Sequence, residues 1–304
     1  MERRAVSPPP KGSQHTASTS FAFTALVVGA MAMAISPVFV RTAEVGPFAS
    51  AFWRVAIALP ILWLWASIEL KKSGKQQADL WKLSWPILFC GVFFAGDLFF
   101  WHLAIVNTNI ANATFLATLA PVWVVLGSGL FIGEAVSRST FMGLAVCLAG
   151  AGVLLGASYS LSPENVIGDI YGLITSVFFG AYFLAVRVAR RKMGAGQLTF
   201  SSTIVTMLLL LIVALIAEPT LVPTSAAGVF SLLALGFLSH AGGQGLLAFA
   251  LGALSAAFSS LVIFIEAVAA ALFAWALLGE HLNAYQIGGG VLILFGIWIA
   301  RPRK

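Results

Sequence analysis

The apolar run 254–278 carries one ionisable side chain near its middle, Glu266. A carboxyl in such surroundings is costly unless it faces a cavity or a partner. Two roles suit it: holding a proton or a ligand's ammonium group, or pairing with Arg54, the arginine inside the run 47–68. Ser255 and Ser259 lie on the same helical face as Glu266. Asp97 and Trp101 stand four apart in the run 83–105 and so share a face. A carboxylate beside an aromatic plate suits a zwitterion with an apolar side chain, the carboxylate meeting the amine and the ring packing on the rest. The alternative is that Asp97 bonds a neighbouring helix and Trp101 anchors at the membrane interface.

Other polar groups sit where lipid exposure would be costly. Asn112 either lines a cavity or bonds a helix neighbour. His102 reads as an exit-side polar residue or a proton relay. His240 and Gln244 are again four apart, and Gly242, Gly243 and Gly245 around them permit close helix approach or local unwinding. Phe179 and Tyr182 supply either cavity walls or core packing. No Gly-x-x-x-x-Gly-Lys loop, His-Glu-x-x-His pair or Ser/His/acid spacing occurs, which argues against nucleotide hydrolysis, a catalytic zinc or a triad. Nothing calls for a cofactor or metal. Sugar phosphates would want clustered Lys and Arg, whereas Arg54 is isolated and Arg41 and Arg187 lie near span ends. Neutral or zwitterionic cargo fits better.

These side chains are set in a chain that is 60% hydrophobic and 9% charged, with a mean hydropathy of +0.98. Soluble domains carry roughly 25% charged residues, so the bilayer must be the solvent here. Residues 1–20 read as a disordered polar tail. Spans of ~20 apolar residues are predicted near 21–41, 47–68, 83–105, 108–132, 139–157, 168–189, 198–217, 227–248, 254–278 and 284–300. Cys90 and Cys147 fall inside these runs and read as buried thiols. The net charge of +6 lies in loops and tails, which sets orientation and does not indicate nucleic acid. With the N-terminus inside, nearly all Lys and Arg fall on one side and Arg41 on the other. Both termini are thus expected in the cytoplasm of an inner (plasma) membrane.

The chain also repeats itself. Gly133-Glu134, Gly143 and Gly150 recur as Gly279-Glu280, Gly289 and Gly296, always 146 positions on, and Arg41 recurs as Arg187. Five spans per unit is odd, so the units enter the membrane in opposite senses. Asn283 with Gln286 forms a capping pair before the last span, and Ser137 stands at the matching position before the fifth. Glu134 and Glu280 are expected just before those helix starts, where the helix dipole favours negative charge.

Two five-helix units ending in Gly-Glu and spaced glycines resemble the EamA family of the drug/metabolite transporter superfamily. Phe52-Trp53-Arg54-Val55-Ala56 is similar to that family's second-span arginine motif, and Pro121 in the fourth span also fits. Length and aromatic content are similar to aromatic amino-acid exporters of the YddG type. The resemblance covers 21–157 and 166–301. It implies an all-α integral membrane fold: ten transmembrane helices as two inverted repeats around a central cavity. It further implies export or exchange of small metabolites. The expected substrate-binding set is Asp97, Trp101, Asn112, Phe179, Tyr182, Gln244 and Glu266, with Arg54, Glu266 and His102 as coupling or structural charges. Expected partners are a small-molecule substrate, the bilayer and protons as a coupling ion. A broad drug effluxer is the same-class alternative; an intramembrane enzyme would need clustered carboxylates that are not present.

Overall fold

In the computed structural model, residues 18–156, 162–278 and 283–302 are described. The tail 1–17 and the Gly279-Glu280 copy of the repeated phrase lie outside them. Among the described residues, nine helices are long and apolar enough to cross a membrane, and a tenth is shorter. They are α1 (Thr19–Thr42), α2 (Pro47–Lys72), α3 (Trp85–Asn107), α4 (Ile110–Ile132), α5 (Arg138–Gly156), α6 (Val166–Ala189), α7 (Ala195–Ala217), α8 (Ala226–Ala250), α9 (Ala256–Val262, then Ile265–Leu278) and α10 (Ala284–Ala300). Helix α10 has 17 residues, at the lower limit for spanning. Helix α1 starts two residues before its apolar run because the Ser18 side chain caps Phe21 N–H.

The repeat is visible in bonds as well as in spacing. Arg41 donates to Ile105 O at 3.1 Å, and Arg187 donates to the equivalent Leu251 O at 2.8 Å. Asn109 caps α4 at Asn112 N–H, and Ser255 caps α9 at the matching Phe258 N–H. Asn283 and Gln286 form the expected capping box on α10, and Ser137 Oγ accepts from Thr140 N–H on α5.

Two helix pairs lie on the pseudo-two-fold axis. The first is α5 against α10, running antiparallel. Gly143 meets Gly296 and Ala300, while Gly150 meets Gly289 and Ile293, so each contact is the image of the other. Cys147 Sγ lies 3.5 Å from Ile293 O, 146 positions away, which marks the crossing point. Lipid gives no hydrophobic drive for helices to associate, so close approach over small residues must supply the contact. The second pair is α2 against α7, tied at both ends. Glu218 at the end of α7 accepts from Phe48 and Ala49 N–H at 2.5 and 3.0 Å, and Glu69 near the end of α2 accepts from Gln197 N–H at 2.9 Å. Each carboxylate thus satisfies amide groups at the other helix's N-terminus.

Glu134 departs from the sequence expectation in its partner. Gly133, in the left-handed conformation at φ 66°, ends α4 and turns Glu134 inward. Glu134 then serves the start of α9, accepting from Ala256 N–H at 3.1 Å, and not the start of α5, which Ser137 already caps. It also pairs with Arg187 at 2.5 Å and Arg191 at 3.6 Å.

The α5–α10 contact yields a prediction. A Cβ on Gly150 would stand 2.8 Å from Gly289 O, whereas one on Gly152 meets nothing within 4 Å. Gly150→Val is expected to lower stability in detergent by ~1–3 kcal/mol or to abolish folding, and Gly152→Val to leave the thermal unfolding midpoint unchanged. Equal midpoints would remove this contact from the fold's supports.

Candidate functional site

Four irregularities in the helices converge. Helix α1 breaks at Ile35 ahead of Pro37, which cannot donate a backbone bond. Helix α4 breaks at Thr118–Leu119 ahead of Pro121. Helix α9 breaks at Ile263–Phe264, the equivalent place, with no proline. Helix α8 widens into a π-helical segment over Leu235–Gln244. Beside these breaks stand Ser36, Ala117, Glu266 and Gln244, and all four line one internal cavity. Irregular backbone at membrane depth is tolerated where it borders a cavity. π-Helical turns likewise recur at functional sites.

Arg54 from α2, Asp97 and Trp101 from α3, and Thr175 and Phe179 from α6 complete the polar and aromatic lining. The cavity therefore gathers Arg54, Asp97, Trp101, Phe179, Gln244 and Glu266 from the sequence-derived set. Two equivalent pairs, Met33 with Phe179 and Leu98 with Gln244, both contribute walls, which puts the cavity astride the pseudo-two-fold axis. Its volume is about 50 Å³, room for waters but far below the ~300–1,000 Å³ of ordinary ligand sites. The structure is thus contracted around this cavity.

The electrostatics are unusual for a membrane interior. Arg54 Nη1 donates to Ser36 Oγ at 3.0 Å. The ion pairs among the described residues join Lys82 to Asp79 and Arg187 and Arg191 to Glu134, so Arg54 faces Asp97 and Glu266 in one cavity without ion-pair contact. Arg54 Nε, Thr175 Oγ1, Gln244 Oε1 and Glu266 Oε1 are buried with no hydrogen-bond partner in the protein. Buried polar atoms are normally paired; four unpaired ones belong to residues that line this one cavity.

The remaining sequence candidates sit elsewhere. Asn112 Nδ2 donates to Asp169 of α6 at 3.0 Å, joining α4 to α6. His102 Nδ1 lies 2.8 Å from Ser50 Oγ on α2. Tyr182 is buried against Phe94, ring centroids 4.7 Å apart. His240 Nε2 lies 2.9 Å from Thr203 Oγ1 on α7 while Gln244 lines the cavity, so positions four apart serve different neighbours. The α9 break undoes the shared face of Ser255, Ser259 and Glu266, and Ser255 is spent as a cap. Sequence reasoning missed Ser36 and Thr175. Ser36-Pro37 inside an apolar run was the available signal for the first; Thr175 carries none.

A bundle of apolar spanning helices with an inverted repeat and a polar cavity between the repeats is an architecture of membrane transporters. Residues 20–156 and 166–301 each match the EamA-like transporter family. The chain belongs to that family and is a membrane transporter, not an enzyme. It is 28% identical over 257 residues to the pseudopaline exporter CntI of Pseudomonas aeruginosa, covering 83% of this chain and 86% of that one. It is 27% identical over 198 residues to an uncharacterised transporter of Archaeoglobus fulgidus, covering 65% and 69% respectively. A solved crystal structure, 20% identical, covers 93% of this chain and 96% of its own at a TM-score of 0.78, and shows the same fold.

The contrast between paired and unpaired groups is testable by stability alone. Asn112→Ala breaks a buried bond and is expected to lower the unfolding free energy by ~1–3 kcal/mol. Thr175→Val removes an unpaired buried hydroxyl and is expected to leave the thermal midpoint unchanged or to raise it. A lowered midpoint for Thr175→Val would mean that its hydroxyl is satisfied within the protein.

Proposed function

We propose that the protein is an inner-membrane secondary transporter that exports or exchanges small neutral or zwitterionic metabolites. Amino acids with aromatic or apolar side chains are the leading cargo. The observation that carries this reading is the gathering of Arg54, Asp97 and Glu266 with the rings of Trp101 and Phe179 around one cavity. A guanidinium matches a carboxylate, the two carboxyls match an ammonium, and the rings match an apolar side chain. Asp97, Trp101, Phe179, Gln244 and Glu266 touch the substrate in this reading. Asn112 and Tyr182 support the wall from behind, and His102 steadies α3 against α2. The Pseudomonas relative's role as an exporter supports export. The Lys and Arg distribution supports cytoplasmic termini.

Transport proceeds by exchange of conformations between the two repeats about the axial cavity. The Glu134–Arg187–Arg191 cluster closes one end of the bundle. At the other end stand Glu218 on the α2 N-terminus and Trp53 Nε1 bonded to Leu221 O. Protons serve as the coupling ion if Glu266 or Asp97 changes protonation during the cycle. A second reading, efflux of organic cations, is favoured by the excess of two carboxyls over one guanidinium in the cavity.

Counterflow in proteoliposomes tests the reading. With unlabelled amino acids inside and trace labelled Phe or Trp outside, transient accumulation that needs internal substrate is expected. No accumulation across amino acids by folded protein would overturn it, and counterflow of a bulky cation in its place would install the second reading. Asp97→Asn and Glu266→Gln are each expected to reduce the rate about tenfold, the worth of a charged hydrogen bond. Full activity of Glu266→Gln together with a pH-independent rate would remove Glu266 from proton coupling.

A further inference from the structure

A second site lies on the lipid-facing side of α3 and α6, away from the axial cavity. A groove of about 540 Å³ runs between the first turns of α3 and the last turns of α6. Trp85, Phe89 and Phe93 form one wall, Leu184 and Val188 the other, and Phe131 at the end of α4 the flank. At its mouth the character changes within one residue of Trp85 and one turn of Val188. There Lys75, Lys82 and Lys192 border a polar pocket of about 300 Å³ with Asp79, Ser84 and Gln197.

Three features make this pocket a built anion site. Lys82 is tied to Asp79 at 2.7 Å, and that hydrogen bond first of all holds the Asp79 carboxyl below its usual range. One lysine is thereby matched, and Lys75 and Lys192 remain as surplus positive charge. Ser84 stands at the N-cap of α3 yet its side chain makes no cap bond, and its Oγ is buried without a partner. The N-terminus of α3, 23 residues long, points its positive end at the same place. The short 3-10 helix Gln77–Trp81 holds the loop in position through Ser201 Oγ on Leu80 O at 2.8 Å, with Trp81 and Trp85 exposed beside it as interfacial residues.

We propose that this is a binding site for one anionic phospholipid, its phosphate in the lysine pocket and an acyl chain in the aromatic groove. The charge selects an anion, and the contiguous apolar groove selects one that carries a hydrocarbon chain. The site does not depend on the cargo or on which side of the membrane these helix ends face.

Native mass spectrometry of the full chain in detergent, titrated with dioleoyl phosphatidylglycerol or dioleoyl phosphatidylcholine, tests this. The phosphatidylglycerol is expected to be retained about thirtyfold better, given ~1 kcal/mol for each of the two surplus lysines near a headgroup. Lys75→Gln/Lys192→Gln is expected to erase that preference. Lys71→Gln/Lys72→Gln, exposed lysines outside the pocket, is expected to keep it. Ala185→Trp, which fills the groove, is expected to weaken retention several-fold. Equal retention of the two lipids, or equal effects of the two lysine doubles, would overturn the headgroup assignment. Full retention by Ala185→Trp would overturn the acyl groove. Displacement of the lipid by millimolar glycerol 3-phosphate would reassign the pocket to a free phosphate ligand.

Discussion

A helix leaves four amide N–H groups unpaired at its start, and in hydrocarbon there is no water to take them. Much of this structure follows from where those groups find partners. Side chains of the same segment serve α1, α4, α5 and α10, through Ser18, Asn109, Ser137 and Asn283. Ser225 and Ser255 do the same for α8 and α9. Carboxylates from distant helices also serve: Glu218 for α2, Glu69 for α7 and, beside Ser255, Glu134 for α9. Each distant carboxylate fixes one helix end against another, so satisfying the backbone also sets the bundle's arrangement. A carboxylate on an amide can also release when the helices part, which a dry apolar contact between the same ends would not do as readily.

The two axial pairs do different work under this constraint. The α5–α10 pair meets over glycines that bring the two backbones together, with only short or apolar side chains such as Cys147, Leu154 and Ile293 filling the contact. The α2–α7 pair is held at its ends by single carboxylates, with the cavity arginine Arg54 on α2 between them. A rigid pair and an end-tied pair on one axis suit rocking of one repeat against the other. In the proposed transport cycle, the contracted cavity would be one stage of that motion, and the opposed end clusters would be the contacts that alternate.

The fold was largely legible in the sequence because lipid imposes length and composition on every span, and because the spacing of 146 recurs in residues that a reader can see. Local caps such as Asn283 with Gln286 were legible for the same reason: both partners lie within one turn. Glu134 was not. Its dipole argument holds, but for a helix that begins 122 residues later in the chain, and no local pattern carries that information. The cavity charges Asp97, Arg54 and Glu266 stood out as ionisable groups in apolar runs. The destinations of Asn112, His102 and His240 depended on Asp169, Ser50 and Thr203, which come from other helices. His240 and Gln244 stand four apart, yet one bonds Thr203 of α7 and the other lines the cavity, a division set by side chains on other helices.

The scaffold is symmetric, and the chemistry at its centre is not. Equivalent breaks interrupt α4 and α9, and equivalent positions such as Leu98 and Gln244 line the cavity from opposite repeats. Yet the equivalent of Arg54 is Phe200, that of Asp97 is Gly243 and that of Glu266 is Ala120. No charge in the cavity has a charged image. In the proposed cycle, symmetry in the backbone would give two conformations of similar energy, open to opposite sides, as alternating access requires. Asymmetry in the side chains would then give a ligand one orientation in both conformations, because the same guanidinium and carboxyls would face it throughout. Had the charges been duplicated, four carboxyls and two guanidinium groups would have been buried in one small space, at a desolvation penalty that pairing could not offset. Divergence of the two repeats at these positions is therefore what a polar site on the axis of an inverted repeat in lipid requires.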